Sequence, residues 1–324
     1  MKNVLPLSKY LTNVSEIAYG FMRLGGGWND SPVSQDDVYQ TQSIIETAMA
    51  SGINLFDHAD IYTFSKAEQA FGQVLKSQPE LRDHMFLQSK CGIRFQDEGN
   101  VGRYDFSAQW VQGSVEGILE RLNTEKLDVL LLHRPDPLME LDELARAMQD
   151  LHTAGKVEHF GVSNMSGHQI EYLQSALDKP LVVNQMEMSL AKLDWLNDVV
   201  LVNSQGLNES DWAPGTLEYC RAKGVQLQAW GCLAQGRFSE QGLNSEDESV
   251  RATSKYVQQL SEKYSVTSEA IVLAFLLRHP AGIQPVIGTT NLERIQASVA
   301  ATKVNLTREE WYNLFVYSRG QALP

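Results

Sequence analysis

Short apolar runs recur along the whole chain, each followed by a segment of helical periodicity, and this alternation constrains the fold more than any other feature. The runs are Ile17–Gly20, Ile53–Phe56, Met85–Ser89, Leu127–Leu132, Val157–Val162, Leu181–Gln185, Val225–Ala229 and Gln284–Ile287. Most are short and largely apolar, and several are rich in β-branched residues, as suits strands buried on both faces of a parallel sheet. Helical spacing predicts helices over Ser34–Ser51, Lys66–Ser77, Ala108–Leu122, Leu141–Ala154, Ser166–Leu177, Thr216–Lys223, Glu269–Arg278 and Asn291–Ala300. Ser34 is placed to cap the first of them, and Gly52, Gly155 and Gly224 stand where a helix C-terminus needs a left-handed residue.

Eight strands alternating with helices is the count of an α/β (β/α)8 TIM barrel. Two further helices are expected, over Val250–Tyr264 after the seventh strand and over Arg308–Tyr317 at the C-terminus. No Pro/Gly-rich linker breaks the alternation, and 324 residues fit a barrel of about 250 residues with insertions. Residues 1–324 are therefore expected to form a single domain. A connection as long as Met186–Pro214, which carries Trp195 and Trp212, usually has a function in a compact domain.

The formal charge of −13 repels phosphate backbones and argues against nucleic-acid partners. Three cysteines, Cys91, Cys220 and Cys232, without CxxC spacing argue against a disulfide framework or a zinc site. Cys91 follows Lys90 and reads either as a reactive thiol or as a small buried residue, the second being the ordinary case. The N-terminal Met1-Lys2-Asn3-Val4-Leu5-Pro6 lacks the apolar stretch of a signal peptide, and no apolar run approaches the roughly 20 residues that span a bilayer. A cytoplasmic protein with no membrane partner is expected.

In a parallel barrel the functional side chains gather where strands end. After the second run comes Asp57-His58-Ala59-Asp60-Ile61-Tyr62, after the third Lys90-Cys91-Gly92, and after the fourth His133-Arg134-Pro135-Asp136. These neighbouring ends converge a carboxylate, a phenol, an ammonium and an imidazole. The grouping suits carbonyl reduction, in which hydride attacks carbon and the developing alkoxide takes a proton. A phenol is a weak acid at neutral pH, and a neighbouring ammonium should lower its pKa. Tyr62 is thus the proton donor, Lys90 its tuner, Asp57 the anchor of Lys90, and His133 the group that orients the carbonyl. His58 and His84 read as structural, Arg134 as a solvated charge, and Asp60 as non-catalytic.

The run FDHADIY resembles the DxAxxY signature of aldo-keto reductases. LQSKCG is similar to that family's lysine segment and LLHRPD to its histidine segment, and GVSN, VNQ and PVIGTTNLERI follow in order. The resemblance spans Ile17 to about Ala300. It implies the catalytic set Asp57, Tyr62, Lys90 and His133, NADPH as cofactor and a small carbonyl compound as substrate. It implies nicotinamide contacts from Ser163, Asn164 and Gln185, with Trp230 as the stacking ring. Gly20, Met22, Arg23 and Asp57 would border the same cleft. Gly231, Leu233, Gln235, Gly236 and Arg237 would touch the pyrophosphate, and Gly288, Thr289, Thr290, Arg294 and Ser298 the adenosine 2′-phosphate and adenine.

Three positions depart from the usual family pattern. Gly288 stands where many members have lysine, so Arg294, with a fork suited to phosphate, and the two threonines must hold the phosphate. Trp230 replaces a commoner tyrosine and can still stack. Thr63 follows the tyrosine where glycine is common, which puts the shape of the loop near Phe64 in question. Trp28, Phe64, Trp195 and Trp212 are candidate substrate contacts, although the last two read equally well as pins for a long loop. No GxGxxG follows a strand, which disfavours a Rossmann site. The run Leu24-Gly25-Gly26-Gly27-Trp28 reads as a loop at the barrel mouth. Two rival functions use the same fold: an NADPH-binding regulatory subunit of a membrane channel, and a cofactor-free lyase or isomerase.

Overall fold

In the computed structural model, which describes residues 4–204 and 211–324, each apolar run is a strand. They are β1 (Ala18–Gly20), β2 (Leu55–Asp57), β3 (Phe86–Cys91), β6 (Leu127–Leu132), β7 (Val157–Ser163), β8 (Leu181–Glu187), β9 (Gln226–Trp230) and β10 (Gln284–Ile287), with β4 (Ile93–Arg94) and β5 (Arg103–Tyr104) forming a separate two-stranded hairpin. The eight longer-range strands are hydrogen-bonded in a ring in chain order, the topology of a (β/α)8 barrel. The helices are α1 (Gln35–Ala50), α2 (Lys66–Ser77), α3 (Ala108–Leu122), α4 (Leu141–Thr153), α5 (Gly167–Gln174), α6 (Asp194–Val200), α7 (Thr216–Lys223), α8 (Glu248–Tyr264), α9 (Ser268–Leu277), α10 (Leu292–Val299) and α11 (Arg308–Arg319).

The chain divides into two compact units, Leu7–Asn184 and the remainder, Met1–Pro6 with Gln185–Pro324. In the first, β1, β2, β3, β6 and β7 pair in parallel. All six residues of β6 are buried, each leucine or valine stabilising the fold by about 1.5–3 kcal/mol. Gly161 is required in β7 because a Cβ there would lie 2.7 Å from the Val183 carbonyl oxygen. Ser34 caps α1 in a reciprocal capping box with Asp37.

In the second unit β9 and β10 pair in parallel. The two predicted extra helices, α8 and α11, pack on each other. Glu310 joins them, accepting from Lys263 Nζ at 2.5 Å and from the Tyr264 hydroxyl at 2.7 Å. Trp311 stacks on Phe275 of α9 at 4.9 Å and donates its indole N–H to that residue's carbonyl.

Five strands run on past their apolar runs: β2 to Asp57, β3 to Cys91, β7 to Ser163, β8 to Glu187 and β9 to Trp230. Apolarity ends before these residues, but their polar groups can continue a buried strand where they find partners. The hairpin β4–β5 was not expected, since strands of two residues leave no alternation to detect. The long connection 186–214 contains the short helix α6, and its residues 205–210 lie outside the described residues, as do the first three residues of the N-terminal stretch read above.

Candidate active site

Asp57 closes β2 opposite Gln88 of β3, and Lys90 follows two residues later on the same face. Lys90 is 0% exposed. Its Nζ donates to both oxygens of Asp57 at 2.7 Å, to the His58 carbonyl at 2.7 Å and to the Tyr62 hydroxyl at 3.0 Å. An ammonium has three protons, so one is shared across the carboxylate and one each goes to the carbonyl and the phenol. Gln88 Nε2 gives Asp57 Oδ1 a further donor at 2.6 Å. A buried ion pair needs this density of partners to offset desolvation. Burial acts to lower the Lys90 pKa, but Asp57 and Tyr62 outweigh it and the ammonium is held above its ordinary value.

Tyr62 is buried among these groups. Its hydroxyl accepts from Lys90, which leaves its own proton free to be donated. Here one expectation is corrected. Lys90 does pull the phenol towards ionisation, but burial is the larger effect and Asp57 adds to it, so the Tyr62 pKa is raised rather than lowered. Lys90 limits that rise.

His133 follows β6, its backbone N–H donating to the Cys91 carbonyl at 2.9 Å. Its ring meets the Tyr62 ring edge-on, with centroids 6.1 Å apart. Burial first, then Lys90 and Arg134, push its pKa down to about 2, so the imidazole is neutral at physiological pH. Nδ1 has no hydrogen-bond partner among the described residues. A neutral ring beside the phenol can offer an N–H to an oxygen atom.

Around this set, Asn164, with φ of +57°, donates Nδ2 to Ser163 Oγ at 2.8 Å and to the His133 carbonyl at 3.5 Å. Gly20 lies in register with Asp57, and the Phe21 N–H donates to the Asp57 carbonyl. Met22 and Arg23 are exposed. Trp28, Phe64 and Phe95 form a row of exposed rings, with centroids 5.4 Å and 5.3 Å apart. Phe95, immediately after β4, was not expected there.

Thr63, Phe64 and Ser65 are all left-handed, with φ of 47°, 58° and 67°. This explains why glycine is the easier residue after Tyr62: each such residue costs roughly 1–2 kcal/mol. Two bonds offset the cost here, from Thr63 Oγ1 to the Leu24 carbonyl at 2.7 Å and from Ser65 Oγ to the Asp60 carbonyl at 2.6 Å.

The second unit carries the other expected contacts. Gln185 donates to Gln228 Oε1, and Gln228 to Gln284 Oε1, in a buried row of amides. Trp230 is half-buried at the end of β9. Gly231, Ala234, Gln235 and Gly236 have positive φ in the turn that contains Leu233. Arg237 is paired with Asp247 at 2.9 Å. Gly288, Thr289 and Thr290 lead into α10, which Asn291 caps. Arg294 is 63% exposed and meets Glu269 only at 3.4 Å. Ser298 is buried, and its hydroxyl donates to the Arg294 carbonyl. Trp195 is fully buried against Phe275 and His279, and Trp212 is buried too. For Trp195 this is the loop-pinning alternative.

The family model for the aldo/keto reductase family matches residues 16–314. The chain belongs to the aldo/keto reductase family. It is an NAD(P)-dependent oxidoreductase, and members of the family use NADPH. The oxidoreductase YdhF of Escherichia coli is 36% identical over 96% of this chain and 95% of its own length. A 6-dehydroglucose reductase of Agrobacterium fabrum is 35% identical over 95% of each chain. The crystal structure of an aldo-keto reductase from Klebsiella pneumoniae in complex with NADPH shares the fold, with a TM-score of 0.72 and 22% identity over 100% of this chain and 96% of that one.

Within this reductase the sequence reading overlooked Gln88, Glu68, Lys66 and Phe95. The signal for Gln88 was present, because the two-residue strand period puts it on the face of Lys90. Glu68 and Lys66 look like ordinary polar positions of a helix, and only packing reveals them as buried. All three cysteines are buried and free. Burial raises the Cys91 thiol well above its ordinary value, which removes the reactive-thiol reading. Among the described residues no helix is long and apolar enough to cross a membrane.

Proposed function

We propose that this reductase uses NADPH to reduce the carbonyl group of an aldehyde or ketone, with Tyr62 as proton donor, and that residues 1–324 act as one catalytic domain. The observation that carries this reading is the Lys90 bond to the Tyr62 hydroxyl at 3.0 Å. When bound, NADPH supplies the hydride. Tyr62 gives its proton to the substrate oxygen, and the resulting phenolate is met at once by the Lys90 ammonium. Asp57 holds that ammonium in place, and neutral His133 orients the oxygen by an N–H.

The donor set suits the cofactor. Arg294, exposed and weakly paired, with Thr289 and Thr290 at the start of α10, suits a 2′-phosphate. Ser163, Asn164 and Gln185 offer the mixed donors and acceptors that a carboxamide needs, and the half-buried Trp230 offers a flat ring. Gly20, Met22, Arg23, Gly231, Leu233, Gln235, Gly236, Arg237, Gly288 and Ser298 complete the proposed cofactor contacts. Trp28 and Phe64 are the proposed substrate contacts. The relative named as a 6-dehydroglucose reductase makes sugar-derived aldehydes the first compounds to assay.

The Tyr62→Phe variant tests the assignment. Turnover should fall by about 10²–10⁴-fold, with NADPH affinity, read from tryptophan quenching, within about twofold of wild type. Full activity in that variant would remove Tyr62 as the acid.

A further inference from the structure

The loop that brings Tyr62 from β2 holds a second carboxyl group, Asp60, which is only 8% exposed. Its Oδ1 has no hydrogen-bond partner among the described residues. Asp60 is hydrogen-bonded by the Ile61 backbone of its own loop and by Ser114 on α3, feels the charges of Glu68 on α2 and Arg121 on α3, and itself acts on the Cys91 thiol on β3. The one guanidinium among them is already engaged. Arg121 Nε donates to Glu68 Oε2 at 2.7 Å, and Ser89 Oγ to Glu68 Oε1 at 2.7 Å.

Two buried carboxyl groups that share one guanidinium do not both ionise cheaply. Burial raises both, and at Glu68 the rise is limited by Arg121, by the Ser89 hydrogen bond and by Lys90. The proton therefore belongs on Asp60, the carboxyl with the bare oxygen. Burial and the Glu68 charge push the Asp60 pKa up to about 8. The backbone fixes the group in place: Asp60 N–H donates to the Lys90 carbonyl at 3.0 Å, and its carbonyl accepts from Ser65 Oγ at 2.6 Å.

We propose that Asp60 is a positioning residue for the reduction, which in its protonated form keeps negative charge away from the Tyr62 hydroxyl and on ionising weakens Tyr62 as an acid. The inference rests on the reading of Tyr62 as the proton donor. Its physical basis is that a carboxylate at Asp60 raises the Tyr62 pKa further, which makes the phenol a poorer donor.

The test is single-turnover hydride transfer from NADPH between neutral and alkaline pH, in wild type and in the neutral mimic Asp60→Asn. Wild type should lose about threefold or more of its rate above the Asp60 transition, whereas Asp60→Asn should match it at pH 7 and lack the break. Glu68→Gln frees Arg121 for Asp60, so its break should move to lower pH. A break retained unchanged in Asp60→Asn would overturn the proposal. Should that variant not fold, an unmoved break in Glu68→Gln would overturn it alone.

Melting temperatures give a readout that does not involve Tyr62. A carboxyl whose folded pKa is raised stabilises fully below its unfolded value and loses that contribution as pH rises through the folded value. The melting point of Asp60→Asn should therefore gain on wild type from about pH 4 to about pH 8 and then level off. A difference independent of pH would mean that Asp60 carries no proton at neutrality. If the melting difference follows pH while Tyr62→Phe stays active, the Tyr62 reading fails and the protonated Asp60 stands.

Discussion

His58, next to Asp57, serves the site through its backbone carbonyl, which accepts from Lys90. Its ring is stacked on Phe21 at 4.4 Å and meets Phe71 edge-on at 4.6 Å. Neither ring nitrogen has a hydrogen-bond partner among the described residues. Burial, then Lys90, hold its pKa well below the ordinary value of 6.5, so the ring packs as an uncharged aromatic. An orphaned buried N–H costs about 1–3 kcal/mol, and His58→Phe removes it at the price of a slightly larger ring. That variant should be as stable as wild type at pH 7 or more stable by about 1 kcal/mol, with kcat within about twofold, since the backbone contact is kept. The sign of the pH effect is fixed. A histidine with a depressed folded pKa loses its stabilisation as pH falls below the unfolded value, because the unfolded chain takes up the proton. The melting-temperature advantage of His58→Phe should therefore widen below pH 6.5. Unfolding, or a tenfold loss of kcat, would show that the ring nitrogens serve a partner in the working enzyme.

Among the elements, the mouth loop from Leu24 to Ser31 depends on α2. Gly25, at φ of +78°, crosses so close to the start of that helix that a Cβ would lie 2.4 Å from the Lys66 carbonyl. Lys66, 5% exposed, clamps the far side of the loop, donating to the Asn29 carbonyl at 2.9 Å, to Asn29 Oδ1 at 3.0 Å and to the Ser31 carbonyl at 3.1 Å. All three acceptors are uncharged, so Lys66→Met releases the loop without orphaning a buried carboxylate. The loop carries Trp28, so KM for the carbonyl substrate should rise about 3–10-fold with kcat little changed. Limited proteolysis should cut the variant within the loop sooner than wild type, and an unchanged KM would mean that the loop takes no part in substrate binding. The same loop shows where the sequence stops being readable. Its glycines announced a turn, and the eight barrel strands were legible because a strand buried on both faces is largely apolar. The clamp was not legible, because a lysine in the first turn of a helix is ordinarily solvated. The left-handed turn at Thr63–Ser65 was hidden for a similar reason: none of its residues prefers that conformation, and tertiary contacts such as those with Leu24 and Asp60 hold it. Asp57, Tyr62, Lys90 and His133 were legible as a group through order and spacing. Their protonation was not, since burial outweighs the Lys90 effect on Tyr62 and burial cannot be counted along a chain.

The molecule as a whole carries a net charge of −13, yet the proposed cofactor is itself a polyanion. Its long-range field therefore opposes binding, and local cations must overcome it. Arg237 is already paired with Asp247, which leaves Arg294 as the better placed of the two. Salt separates the contributions, because the Debye length shrinks from about 30 Å at 0.01 M to about 8 Å at 0.15 M. In wild type, added salt screens the attraction of Arg294 for the 2′-phosphate, and NADPH affinity should fall. In Arg294→Ala that attraction is gone while the repulsive field remains, so the salt dependence should flatten or reverse. NADH, which lacks the phosphate, should bind wild type and variant alike. Titrations of both cofactors across that range of ionic strength check all three expectations. A fall in NADPH affinity as steep in the variant as in wild type would remove Arg294 from the phosphate site.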